Sequence, residues 1–397
     1  MRAPPADSRT VPAADTRVAR VEIFDDLADA APHWQALEAG PALATPYQHY
    51  DFLRHWQNHV GAVEGVTPFI VVAFDNAGAP LFLWPLGRRR VGGLQVVEFL
   101  GGKHANFNMG LWRRDAVPRV TAAELRDVLG HLAGHADVLA LINQPLTWNG
   151  TTNPLGLLPQ QRSANFGFSG ALVPDFEALL RSRTNADARK KMRKKERTLA
   201  GYGTVTFERV REPCQVRRVL DAFLKQKSAR MRRLGVPDVF AAPGVRRFIE
   251  AASTEQSDGG EPPIALYALS VDDIIVATMG GIVGGRRFCA MFNSIVQGRY
   301  AVESPGEQLI INLVRDCCQR GFDTFDLGIG EAHYKNLFCT DAEPLFDSYL
   351  PLSSRGRILA FAWRASAAAK RFVKQQPALW SSVRAARRLG ARLAGKV

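Results

Sequence analysis

The sequence predicts a mixed α/β (α+β, mixed-sheet) fold built of two similar halves and followed by a basic helical tail. Three observations carry this. Short β-branched and aromatic runs alternate with segments of helical periodicity. The order strand, hairpin strand, strand, helix, strand occurs twice, over about 68–142 and 264–327. Residues 355–397 hold eleven Lys or Arg and no acidic residue. A chain of 397 residues is too long for one ordinary core and suggests about two domains of roughly 100–200 residues each. The expected divisions are a disordered lead (1–18), a first half (19–165), a second half (166–354) and the tail (355–397).

Met1 to Arg20 is rich in Pro and Ala, with scattered charges and no apolar core of a signal peptide. Trp34 and Leu37 fall in a helix, and Phe52, Leu53 and Trp56 in another. Strands are expected at 68–74, 80–86, 94–100 and 106–111. Leu125, Val128, Leu129 and Leu132 mark a helix before a buried strand at 138–142. His104, Asn106 and Asn108 alternate, which places a polar stripe on one face: a groove contact or a half-exposed sheet face. His104 and Asn106 are therefore candidates for substrate binding.

Between the halves, 176–200 is a charged helical stretch with nine Lys or Arg between Arg181 and Arg197. A strand (204–210) and two helices (214–233 and about 245–252) follow. Lys227 and Arg230, on the first of these helices, either face an acceptor or are simply solvated. Strands at 264–269, 274–283 and 287–296 are separated by the turns Val271-Asp272-Asp273 and Gly284-Gly285. In the third strand Asn293 shares a face with Met291 and Ile295, which could place its amide in a cleft. Ser304-Pro305-Gly306 then opens a helix closed by Gly321, with Ser304 as the N-cap and Pro305 at the first position. Such a helix start receives anions, because its free N–H groups and its dipole both favour negative charge. A strand at 322–327 completes the order.

Several function classes lose support here. The formal net charge is +13, but eleven of those positive charges lie in the tail, which leaves +2 for residues 1–354. A general polyanion-binding enzyme is thereby disfavoured, and no specific nucleic acid is expected. No apolar stretch reaches the ~20 residues of a membrane span. Five cysteines, an odd number, make no disulfide framework and fit a reducing cytoplasm. His131 and His135 are four apart but lack a third ligand, so no metal is expected. In the tail, Ile358, Phe361, Trp363 and Phe372 lie among Arg364, Lys370 and Arg371. Two basic amphipathic helices divided at Pro377 are expected there, either resting on an anionic membrane surface or packing on the body.

The S-P-G of 304–306, the F-D-L-G of Phe325–Gly328, the pair Tyr334-Lys335 and the pattern Arg181-x-Arg183-x-Asn185-x-x-x-Arg189 together resemble the CelD-like and FemAB-like branch of the GNAT acyltransferases. The resemblance spans about residues 20–350 and is sharpest at 181–189 and 304–338. It implies tandem GNAT-like domains that move an acyl group from a thioester, acyl-CoA, to an amine or hydroxyl of a saccharide or amino-acid-like acceptor in cell-surface polysaccharide synthesis. Tyr334 would protonate the leaving thiolate or else be a core-capping aromatic. Asp326 would be a general base or else a structural aspartate holding the Gly328–Gly330 turn. Asn293, Ser304, Gly306 and Lys335 would hold the donor; Asn185, Arg189, Lys227, Arg230, His104 and Asn106 would meet the acceptor. The usual Q/R-x-x-G-x-G/A turn survives only as Gly306, so a Fem-like aminoacyl-tRNA donor and a non-catalytic partner of a polysaccharide assembly stand as alternatives.

Overall fold

In a computed structural model of the protein, residues 17–255, 260–330 and 337–376 are described. Tyr334 and Lys335, residues 1–16 of the expected lead and the tail beyond residue 376 lie outside the described residues. The first half runs β1 (Arg20–Phe24), α1 (Leu27–Ala39), β2 (Ala42–Leu43), α2 (Tyr50–Trp56), β3 (Thr67–Phe74), β4 (Pro80–Val91), β5 (Leu94–Phe99), β6 (Leu111–Arg113), α3 (Ala122–Leu132), β7 (Val138–Pro145), β8 (Thr147–Trp148), β9 (Thr151–Thr152) and β10 (Gln161–Ala171). The second runs α4 (Phe176–Arg183), α5 (Ala186–Ala200), β11 (Val205–Val210), α6 (Pro213–Leu234), α7 (Val245–Thr254), β12 (Ile264–Val271), β13 (Ile274–Gly284), β14 (Arg287–Ile295), α8 (Pro305–Gln319), β15 (Thr324–Ile329) and β16 (Asp341–Pro351), and ends in α9 (Gly356–Gln375).

One 14-stranded mixed sheet carries both halves, in the order β1-β3-β4-β5-β7-β16-β10-β15-β14-β13-β12-β11, with β6 branching from β4 and β2 pairing with β6. Read inward from either edge, each half presents an antiparallel meander and then one parallel step, β5 to β7 and β14 to β15. A crossover helix, α3 or α8, makes each parallel step, because parallel neighbours need a long connection. The last strands are exchanged: β16, from the end of the chain, pairs with β7, and β10 pairs with β15. The expected boundary at residue 165 falls inside β10, a strand whose partners β15 and β16 both come from the second half. Apolar faces pack on both sides of the sheet, with Trp34, Trp84 and Trp112 buried in the first half and Leu309, Leu313 and Val314 of α8 in the second.

One expected strand is missing. The segment expected as a strand at 106–111 is a loop that follows a 3₁₀ turn at Gly102–His104, and β6 begins only at Leu111. Gly101 and Gly102 take φ values of 91° and 50°, which end the strand before it. The alternation of His104, Asn106 and Asn108 is therefore not a strand face. The first helix of the tail forms as α9 and packs on the body, one of the two expected placements: Trp363 meets Tyr349 at 6.1 Å, and Lys374 Nζ donates to Asn165 Oδ1 at 2.7 Å.

Candidate functional site

The parallel ladder of β14 with β15 has three rungs, Arg287↔Thr324, Phe288↔Phe325 and Cys289↔Asp326. Past Cys289, β14 runs on to Ile295 while β15 runs on to Ile329 beside β10. A register shift at Gly280/Gly281 skips Met291, an extra residue that bends β14. The pairing of the two strands therefore ends at this rung, and the unpaired interval between them is the candidate cleft.

At the wide end of this cleft, α8 begins. Ser304 occupies the N-cap position with φ 54°, and its side chain does not cap the helix. Instead its hydroxyl accepts from Lys195 Nζ of α5 at 2.9 Å, and Lys195 also reaches Glu307 at 3.2 Å. The expected Ser304 side-chain cap is thus absent, because a left-handed backbone turns the hydroxyl away from the first-turn N–H groups. Pro305 carries no N–H and the Glu307 and Gln308 amides bond to the Ser304 carbonyl, so the Gly306 amide and Lys195, itself paired with Glu307, are what this helix start offers an anion. Gly306 lets α8 start hard against β14: a Cβ there would stand 2.5 Å from Ile295 Cδ1.

Lys227 of α6 lies over the end of the same strand. Its Nζ donates to the Asn293 carbonyl at 3.2 Å and sits 5.2 Å from the Phe240 ring centre. Burial, with Arg230 adding repulsion, pushes the Lys227 ammonium down to about 8, while Asp238 opposes the fall. A lysine so placed can be neutral in mildly alkaline solution and take up a proton.

The narrow end of the cleft is pinned by charge. Asp326, fully buried, accepts from Arg287 Nε at 3.1 Å and from the Gly328 amide. Arg287 also donates to Glu343 of β16 through Nη1 at 2.9 Å, and its guanidinium lies 4.1 Å from the centre of the Trp148 ring. Burial raises the Asp326 carboxyl and Arg287 opposes that rise, while the two carboxylates hold Arg287 charged. From the first half, Asn106 Nδ2 reaches across to the Ala290 carbonyl and to the Tyr47 hydroxyl, both at 3.1 Å. His104 Nδ1 accepts from Trp56 Nε1 at 3.2 Å, and burial pushes its imidazole down to about 4, so it is neutral near pH 7.

Asn293, Ser304, Gly306 and Lys227 thus gather at the wide end of the cleft, with Arg230 three residues beyond Lys227 on α6. Asp326 and Asn106 both stand near the last rung at the narrow end, and His104 lies two residues from Asn106. Asn185 and Arg189 build the corner between α4 and α5: Asn185 caps α5 through the Ala188 amide at 2.8 Å, and Arg189 holds Thr184 Oγ1 at 3.3 Å. Lys195, Arg287 and Tyr47 were not singled out from sequence. Arg287 had a signal, since a charged residue in register with Cys289 and Met291 on a buried strand calls for a partner. Among the described residues no cluster of His, Cys, Asp and Glu could hold a metal, and no helix is long and apolar enough to cross a membrane.

Residues 186–336 match the family model described as an acetyltransferase (GNAT) domain. No curated protein matches the sequence. Among solved structures, the chain is similar to FemX at 11% identity, covering 83% of this chain and 97% of that one, with a TM-score of 0.52. It is also similar to the C-terminal domain of a protein named as a lysylphosphatidylglycerol synthetase from Agrobacterium fabrum, at 12% identity over 85% and 95% of the two chains, TM-score 0.51. At these identities the likeness is one of fold. The family match covers the cleft, α5 and α8, and with the likeness of fold it supports an acyltransferase of GNAT-like fold.

Proposed function

We propose that this chain is a tandem of GNAT-like domains, 19–165 and 166–354, whose second member binds an acyl thioester and transfers the acyl group to an amine or hydroxyl. The observation that carries this reading is the parting of β14 from β15 directly before an uncapped helix start that Lys195 overhangs. The strand edges suit a pantetheine arm, and the first turn of α8 with Lys195 suits its phosphates. An acceptor approaching over α6 would lose its proton to Lys227 or to water as it attacks the thioester carbonyl. The C–S bond then breaks, and the thiolate takes a proton from Tyr334, which follows β15 in the chain. Asp326, ion-paired and buried, holds the apex of the cleft rather than acting as base. Lys335 is assigned to the donor, Arg230 to the acceptor.

Acyl-CoA is the donor that this arrangement fits. A carrier-linked aminoacyl donor is the second reading, favoured by the exposed Lys190, Lys191, Arg193 and Lys194 of α5. The sequence likeness to the CelD-like branch supports a saccharide acceptor in cell-surface polysaccharide synthesis. Calorimetric titration with acetyl-CoA and with coenzyme A tests the donor. Micromolar binding is expected; no heat with either would leave the aminoacyl donor.

The same proposal places the protein in the cytoplasm, on the inner face of an anionic membrane. Opposite its docked side, α9 exposes Ile358 (79%), Phe361 (73%) and Phe372 (59%), flanked by Arg357, Arg364 and Lys370. An apolar stripe edged by cations suits an anionic bilayer surface, each cation adding about 1 kcal/mol. Sedimentation with anionic vesicles should carry the wild type down and leave an Ile358→Ser/Phe361→Ser variant in solution. Equal recovery of both in the supernatant overturns the attachment.

A further inference from the structure

We propose that Asn106, brought in from the first half, is the floor of the acyl pocket and restricts the donor to short acyl groups. The inference rests on the thioester reading above and adds a specificity-determining residue to it. Asn106 stands just past the last rung of the β14–β15 ladder, Cys289↔Asp326. Its amide is wedged between the parted strands: Nδ2 lies 3.1 Å from the Ala290 carbonyl of β14, and a Cβ on Gly328 of β15 would come within 2.5 Å of that nitrogen. Gly328, at φ 70°, is thus the residue that leaves room for it.

Behind the wedge there is little space. The Tyr47 hydroxyl, itself buried, is bonded to Asn106 on one side. On the other, a cavity of about 20 Å³ is bounded by His104, Asn106, Phe240, Phe248, Met291 and Phe292. That is room for about one water molecule or a methyl-sized group. A thioester lying along β14 with its phosphates at α8 points its acyl carbon toward this end. An acetyl group fits in front of the amide, whereas a longer chain must displace a side chain held by two hydrogen bonds. A domain that lacks the first half would have no such floor. The tandem arrangement therefore makes one half the selectivity element of the other.

Removing the wedge tests this. Wild type, Asn106→Ala and Met291→Ala, which widens the same cavity from β14, are titrated with coenzyme A, acetyl-CoA, butyryl-CoA and hexanoyl-CoA, after melting curves confirm that each is folded. The wild type should bind hexanoyl-CoA about tenfold or more weaker than acetyl-CoA, a discrimination of the size a closed apolar pocket supplies. Asn106→Ala should bring the two within about threefold while affinity for coenzyme A itself is unchanged. Binding of coenzyme A by all three proteins with the same dependence on chain length overturns the floor and leaves the donor site standing. Failure of every protein to bind coenzyme A overturns the donor reading, and the floor with it.

Discussion

The two parallel steps of the sheet, β5 to β7 and β14 to β15, are built alike and end differently. Each has three rungs: Val96↔Val138, Val97↔Leu139 and Glu98↔Ala140 in the first half, and Arg287↔Thr324 to Cys289↔Asp326 in the second. In the first half β5 stops at Phe99, one residue past its last rung, and α3 opens with a complete capping box. Thr121 Oγ1 accepts from the Glu124 amide at 3.2 Å, while Glu124 accepts from the Thr121 amide at 2.9 Å. In the second half β14 overruns its last rung by six residues, and α8 opens without a side-chain cap beside Lys195. Both first turns carry a carboxylate, but Glu124 closes its own capping box, whereas Glu307 is paired with Lys195, which offsets its charge beside the helix start. The same topology thus yields a closed step and an open one, the latter being where the proposed function puts the donor, and the loop after β5 carries Asn106 to the open step.

The largest effect is expected where the open step is pinned. Arg287→Met leaves Asp326 and Glu343 without their cation, and a buried carboxylate so stranded costs about 3 kcal/mol, read as a lower midpoint in urea. A midpoint equal to wild type would mean that the ion pair does not hold the apex.

Lys227 tests the acceptor side. Its pKa is lower folded than unfolded, so between about pH 8 and pH 10.5 the unfolded chain binds more protons and stability rises with pH. Lys227→Met should therefore be more stable than wild type at pH 7, by about 2 kcal/mol after allowance for its partial exposure, with the gap closing above pH 10.5. The variant should also lose turnover. A constant gap across that range would show an ordinary, solvated lysine.

Gly306→Val pushes on Ile295 and moves α8 away from the strand end. Donor affinity should fall about tenfold, or 1.4 kcal/mol, with little change in melting temperature. Unchanged affinity in the folded variant removes this turn from the site. The smallest effect belongs to the closed step: Thr121→Ala should cost about 1 kcal/mol of stability and leave donor affinity alone.

Much of this contrast was legible in the sequence. The hairpins of 264–296 announced themselves through β-branched runs and two-residue turns, and Ser304-Pro305-Gly306 marked the start of α8 to the residue. The exchanged strands did not. β10 reads QRSANFGFSGA, with glycines where alternation should show, and its partners lie far away in the chain, at Phe325 and Pro344. Strand pairing at that distance leaves no local trace. The polar stripe at 104–108 was read as a strand face, yet its residue types were informative: Asn106 meets a backbone carbonyl across the halves because it carries an amide. Lys195 was one cation among nine, and only the fold distinguishes it from its solvated neighbours.

Hydrogen–deuterium exchange of the intact chain, with and without coenzyme A, compares the two steps in one experiment. Bound coenzyme A should slow exchange at residues 290–296 and in the first turn of α8, and leave residues 96–99 and the first turn of α3 unchanged. Protection of the α3 step, or equal protection of both, would contradict the assignment of the donor to the second half.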